Sequence, residues 1–464
     1  MKKINIFIIM TIMLLAASSC RKVVPLEEQS PNAFPGASAD LMIAGPQMAT
    51  IQIAEGELAR LAGIFDNQFT GSDRQYISYN DFVITHGDFD NIWSVLYVDG
   101  VKNCRIIEEK ASKAGQKDYL GVAQIVEAYL IGNATAMWGD VPFSEAVDVE
   151  KYPNPKFDKQ SDVYKGVQKL LDEGITNVGN TKVGNLATVY KSNGITWAEV
   201  AHSLKARFYL HTGDYAKALA EAKQGLTNKN DWQANHDVTG YTDGKMNLMF
   251  AFTVWHREGY MTADDAYLAK SLDPSNSSNR ANAKTVDTAR FNYFYMNSSS
   301  CWYCSSYDPN YWVGGIFFRD EPFAMFSYVE NELILAECEL RANNDEATAL
   351  THLNNARNWW NTKLGVTEYT DYVAADFNTG GIADHGKGSS KENLLFEVLF
   401  EKYASLYGQI ESWNDMRRTD NYLNIPLKKG NKVPERFLIP QSELNSNTNA
   451  PKDKGLFDPT EVNS

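Results

Sequence analysis

The 464-residue chain is 44% hydrophobic and 22% charged, with a formal net charge of −14. Its length suits two or three ordinary domains or one large one, and its composition excludes general disorder. The acidic balance argues against a nucleic-acid partner, because phosphate contact needs a basic surface. With 24 Tyr, 22 Phe and 10 Trp, the chain carries more rings than a core of this size usually needs.

The first residues set the address. Lys2 and Lys3 precede an apolar run from Ile4 to Leu15, then small Ala16, Ala17, Ser18 and Ser19, then Cys20. The run is too short to span a bilayer and reads as a secretory signal over residues 1–19. Small residues ending directly in Cys resemble a bacterial lipobox, which makes Cys20 the expected lipidation site. An ordinary signal peptide with an incidental cysteine is the alternative. Acyl chains would anchor the protein to the membrane without spanning it. No later apolar run approaches the length of a transmembrane helix. Residues 20–39, with three prolines, read as a lipidated tether.

Residues 40–464 read as a single, mainly helical domain. Apolar residues recur at helical spacing from Ala39 to Phe65. Trp93, Leu96, Tyr97, Val101, Cys104 and Ile107 mark one face of a second helix. Tyr119–Met137 and Val163–Ile175 follow. Trp197–Thr212 and Tyr215–Leu226 form a hairpin broken at Gly213. Ser327–Arg341 and Glu346–Trp360 repeat that layout, and Glu392–Tyr407 is another long helix. Periodicity is poor over residues 231–326, where Gly, Asn, Ser and Tyr dominate. Together with Asn67–Asp90 and Asn361–Ser390, that block reads as loop-rich insertions into a helical frame at 40–230 and 327–464. Loops this long in a compact protein are usually functional.

The hairpin from Trp197 to Gly225 fits the tetratricopeptide pattern. Small Ala206 stands where helices approach closely, Gly213-Asp214-Tyr215 makes the turn, and Ala218 and Ala222 line the second helix. Ala336, Ala347 and Leu353 occupy comparable places in the later hairpin. The expected fold is an irregular tetratricopeptide-like helical bundle whose loop-rich insertions form the ligand face.

Three segments carry a family resemblance. Met137-Trp138-Gly139-Asp140-Val141-Pro142-Phe143 closes the third helix. Glu411-Ser412-Trp413-Asn414-Asp415-Met416-Arg417-Arg418 follows the helix around Phe396–Tyr403. Arg436-Phe437-Leu438-Ile439-Pro440-Gln441-Ser442-Glu443-Leu444-Asn445 stands near the terminus. With the lipobox and the hairpins, this order resembles SusD/RagB proteins over most of the chain. The resemblance implies a lipid-anchored outer-membrane protein, facing the cell exterior, that captures oligosaccharides for a SusC-like TonB-dependent transporter. Surface-exposed members often carry acidic residues directly after the lipidated Cys; here Arg21 and Lys22 come first and Glu27-Glu28 later. A peptide-binding member of the family and a lipid-anchored scaffold that binds only proteins are the rival readings.

Catalytic chemistry is not indicated, and neither a cofactor nor a metal is expected. There is no G-x-S-x-G elbow, no H-E-x-x-H and no phosphate-binding glycine loop, and the seven His lack metal-ligand spacing. Glu411, Asp415, Arg417 and Arg418 are expected to be an ion-paired helix end, because charge clusters are commoner as structural networks than as active sites. Cys301-Trp302-Tyr303-Cys304 lies among serines, not at the strand-to-helix junction of a redox motif. In an oxidising compartment a local Cys301–Cys304 disulfide is the simplest account, with free thiols or metal work as alternatives.

Nine aromatics fall between Phe291 and Trp312, interleaved with Asn, Ser and Asp. Flat rings with polar tips suit sugar faces and hydroxyl rims, and interfaces generally. Phe291 and Phe294 are expected in the core. Trp302 is the expected principal platform, with Tyr303, Tyr307, Tyr311, Trp312, Tyr293 and Tyr295 as supporting candidates. Arg74, Tyr76 and Tyr79 from the Asn67–Asp90 loop, and Trp255, complete the candidate ligand set. The resemblance implies that loops of both regions meet on one face.

Overall fold

Small residues let the long helices of this chain approach one another closely. A Cβ on Gly121 would lie 2.8 Å from the Gly174 carbonyl, and one on Gly132 would enter the Phe208 ring, so neither position has room for a side chain. In the computed structural model, which describes residues 37–237, 245–297 and 305–464, the longer helices run as follows. They are α1 (Ala44–Glu55), α2 (Glu57–Phe65), α3 (Lys102–Ala114), α4 (Lys117–Trp138), α5 (Gln160–Val178) and α6 (Trp197–His211), then α7 (Tyr215–Ala222), α8 (Tyr328–Cys338), α9 (Glu346–Leu364), α10 (Ser390–Ser405) and α11 (Ile410–Arg418).

Local sequence explains where several of them start and stop. Thr196 and Glu199 form a reciprocal cap at the start of α6, with Thr196 N–H donating to Glu199 at 2.7 Å. Asp345 accepts from Thr348 N–H at 3.0 Å to open α9. The expected helix over Ala39–Phe65 is interrupted: Gly56 ends α1, because a Cβ there would strike the Gln52 carbonyl. The expected Ser327–Arg341 helix ends its regular part at Cys338 and continues as a wider turn, Glu339–Asn343.

Successive helices pack on one another from α3 to α9, and α10 packs on α8. This is the irregular tetratricopeptide-like frame, mainly α. Strand content is slight. Among the described residues, β1 (Thr70–Gly71) pairs with β3 (Met261–Thr262), β2 (Trp232–Ala234) with β6 (Phe323–Phe326), and β4 (Tyr295–Asn297) with β5 (Tyr307–Pro309), all antiparallel. No helix among the described residues is long and apolar enough to cross a membrane. Cys104 and Cys338 are buried free thiols on separate helices.

The three segments that carry the family resemblance converge. Trp138 Nε1–H donates to the Leu438 carbonyl at 2.9 Å, and Phe437 N–H donates to the Met137 carbonyl at 2.8 Å. Arg436 donates to the Trp138 carbonyl, beside Gly139 at φ 81°. The Phe437 ring lies 4.7 Å from Trp413 and 5.7 Å from Trp138. Arg417 donates to the Ala136 and Glu435 carbonyls at 3.0 and 2.6 Å.

The charged residues of α11 are structural. Arg418 grips Glu337 of α8 through both carboxylate oxygens, at 2.8 and 2.6 Å, and Asp415 at 2.7 Å. Glu411 takes a hydrogen bond from His211 of α6 at 2.8 Å. A second buried cluster ties the insertion to α10, where Arg290 meets Glu401 at 2.6 Å and Asp287 at 2.8 Å.

Candidate functional site

The most open apolar surface among the described cavities is built from two short segments. One is the helix Leu248–Phe250 with the wider turn Ala251–His256. Asn247 starts it, its side-chain oxygen accepting from Met249 and Phe250 N–H at 3.1 Å each, while Asn247 N–H donates to the Arg319 carbonyl at 3.0 Å. The other segment follows β5. Asn310 organises it, accepting from Trp312 N–H at 3.0 Å and donating to the Asn292 carbonyl at 2.6 Å. Gly315 N–H donates back to the Trp312 carbonyl at 2.8 Å, which completes a tight turn.

Between these segments lies a groove of about 400 Å³. Phe250 and Phe318 meet edge-to-face at 6.2 Å on its wall. Thr253, Val254, Glu258, Tyr311, Trp312 and Val313 supply the rest of the lining. Trp312 is 43% exposed, Val313 84%, and neighbouring Trp255 45%. Exposed rings grouped at an open groove mark a binding surface. Glu258 adds a solvent-exposed carboxylate that can accept hydrogen bonds.

The loop regions around Asn67–Asp90 and 231–326 do meet. The β1–β3 pair joins them, and Ser72 N–H donates to the Tyr260 carbonyl at 2.8 Å. Arg74 stands there at φ 47°, its guanidinium 5.8 Å from the Tyr260 ring centre, and Arg257 lies 5.7 Å from the same ring. Both arginines are exposed.

The candidate residues separate into distinct environments. Tyr311 and Trp312 line the groove and Trp255 flanks it. Arg74 is exposed at the loop junction. Tyr76 is only 1% exposed; its hydroxyl accepts from Arg60 Nε at 2.9 Å and its ring packs on Phe252 at 5.1 Å. Tyr79 is buried and donates to Asp88 at 2.9 Å. Tyr295 is 1% exposed and packs 4.8 Å from Tyr407. These three are core residues, which corrects their place in the candidate set: strand and helix pairing turns their rings inward. Phe291 and Phe294 are buried as well. Tyr307 is a strut, donating to Asp273 at 2.7 Å. Tyr293 donates to Glu321 at 2.8 Å and lines a different cavity. Cys20, Cys301, Trp302, Tyr303 and Cys304 lie outside the described residues.

Phe250, Val254, Glu258 and Phe318 escape a sequence reading centred on Trp and Tyr. The short apolar run Phe250-Ala251-Phe252-Thr253-Val254-Trp255, followed by polar residues, was the available signal. Among the described residues no group of three or more His, Cys, Asp or Glu is placed to hold a metal ion.

Frame and groove together define a class: a tetratricopeptide-like helical frame that carries an aromatic groove on inserted loops. A SusD-like family model, described as starch-binding and associating with the outer membrane, matches residues 57–440, and the chain belongs to this family. No curated protein matches the chain significantly. Solved structures match at low identity. A SusD homologue from Bacteroides fragilis is 17% identical, with a TM-score of 0.67 over 92% of this chain and 99% of that one. A SusD/RagB family protein from Bacteroides thetaiotaomicron is 20% identical, with a TM-score of 0.63 over 89% and 95%. A chitin-binding SusD homologue from Flavobacterium johnsoniae is 15% identical, with a TM-score of 0.63 over 90% and 97%. At these identities the likeness concerns the fold.

Proposed function

We propose that the protein is a non-catalytic glycan-binding lipoprotein of the cell surface. It captures oligosaccharides and passes them to a SusC-like TonB-dependent transporter in the outer membrane. The observation that carries this reading is the groove, with Trp312 presented on a pinned turn beside Tyr311 and Val313. The family description and the chitin-binding relative support glycan as the ligand class. Trp302 and Tyr303, held by a Cys301–Cys304 disulfide, extend the same aromatic surface in this reading.

A glycan-array screen of the soluble protein, followed by tryptophan-fluorescence titration of the hits, tests the function. Quenching by a glycan supports it. Binding confined to peptides would favour the peptide-binding reading, and absence of any small ligand would favour a protein scaffold. Anchoring is tested separately. Cys20→Ala should leave an unprocessed, unacylated precursor with a folded body, read by metabolic lipid labelling and circular dichroism. Normal acylation of that variant would disprove the lipobox.

A further inference from the structure

Residues 310–322 are a wall shared by two sites. Trp312 and Val313 line the groove, whereas Ile316 and Pro322 line a smaller cavity of about 60 Å³. A water needs about 10–15 Å³ of such space, so the cavity takes about four to six waters. That is room for one sugar ring, not for a chain.

Its walls are chemically specific. Trp359 and Trp360 of α9 supply aromatic surface; Trp360 Nε1–H is committed to Ser405 Oγ at 2.9 Å. Asp231, only 8% exposed, is the buried charge. One of its oxygens accepts from Tyr328 N–H at 2.7 Å, capping α8. Among the described residues no cationic group stands within ion-pair distance of it. Lys363, on the same wall, is engaged by Glu321 at 3.0 Å, and Glu321 also accepts from the Tyr293 hydroxyl at 2.8 Å. Burial pushes Asp231 up to about 6, against the pull of the Tyr328 amide, Lys363 and Lys191 and with Glu330 adding to the rise. It is therefore mostly an anion at neutral pH, half-satisfied and without a contacting cation. A buried carboxylate in that state favours a ligand that brings its own positive charge.

We infer that this cavity is a second ligand site, for a single amino-sugar residue whose ammonium pairs with Asp231 and whose ring lies against Trp359. The site is separate from the groove and does not depend on the groove binding glycan.

The test titrates the full chain with glucosamine, glucose and N-acetylglucosamine at neutral pH, read by tryptophan fluorescence and ligand-observed NMR. Glucosamine should bind at least ten-fold more tightly than either neutral sugar. Asp231→Asn keeps an oxygen for the Tyr328 amide and should abolish that preference with an unchanged melting temperature. Should Asp231→Asn unfold, Trp359→Leu, which leaves the cap untouched, should weaken glucosamine ten-fold. Trp312→Ala should leave glucosamine binding intact even where it abolishes binding in the groove. Equal binding of all three sugars, or a glucosamine preference that survives Asp231→Asn, would overturn the proposal. Loss of glucosamine binding in Trp312→Ala would do the same by placing the amine in the groove. Methylammonium binding as tightly as glucosamine would refute the sugar part of it.

Discussion

Trp312 and Tyr295 belong to one aromatic stretch and end in opposite environments. Tyr295 sits on β4, whose pairing with β5 turns the ring inward onto Tyr407. Trp312 sits on the turn beyond β5, where Asn310 fixes the backbone and leaves the indole exposed. Stacking one exposed ring on a sugar is worth about 1–2 kcal/mol. Trp312→Ala should thus weaken glycan binding about ten- to thirty-fold with no change in melting temperature, by calorimetry on one preparation. Tyr295→Ala should do the reverse, costing about 3–5 kcal/mol of stability through the cavity it leaves. A Trp312→Ala protein that melts much earlier would place that indole in the core.

Arg418 shows how one element is held by another. It links α11 to Glu337 of α8 through two hydrogen bonds and to Asp415 on its own helix. Burial alone would raise the Glu337 carboxyl, but the Arg418 guanidinium, with Arg341 and Lys402 behind it, holds it well below the usual carboxylate range. Removing one partner of a buried pair strands the other, so Arg418→Ala should cost about 3–5 kcal/mol in denaturant unfolding. Replacing both Arg418 and Glu337 by Met should recover much of that loss; a double variant no better than the single would show that the pair itself stabilises strongly. The helices around this contact were legible in the sequence because their apolar residues repeat over many turns. The break at Gly56 was not, since it depends on the approach of the Gln52 carbonyl. In the insertions the rings carry no such local record. Tyr76 is core only because β1 pairs with β3 and delivers Phe252 and Tyr260 to it. The groove likewise joins residues 250–258 to 311–318, a match that no window of sequence contains.

Across the whole molecule the buried carboxyls pull stability in two directions with pH. Glu337 and Glu401 are held low by arginines that outweigh burial. Their contribution is complete above the ordinary value of 4.5 and is lost as the pH falls below it. Asp66 is the opposite case: burial raises it to about 8 from 3.8, although the Ser412 hydroxyl and the Gln68 amide oppose the rise. Its contribution is complete below 3.8 and is lost as the pH climbs to about 8. Melting temperature should therefore peak in mildly acidic buffer, and Asp66→Asn should flatten the alkaline limb, its advantage over the native protein growing up to about pH 8. A profile unchanged by that substitution would show Asp66 ionised in the fold. The convergence of Trp138, Trp413 and Phe437 has a consequence in time. The ring that completes this corner is among the last parts of the chain to be synthesised, and its partner on α4 among the earlier ones. A growing chain cannot lock its frame until synthesis is nearly finished, and a chain cut before Phe437 leaves two indoles without their lid. The full-length chain is thus the smallest unit that can close, and until it does, the polypeptide stays loose enough to be threaded.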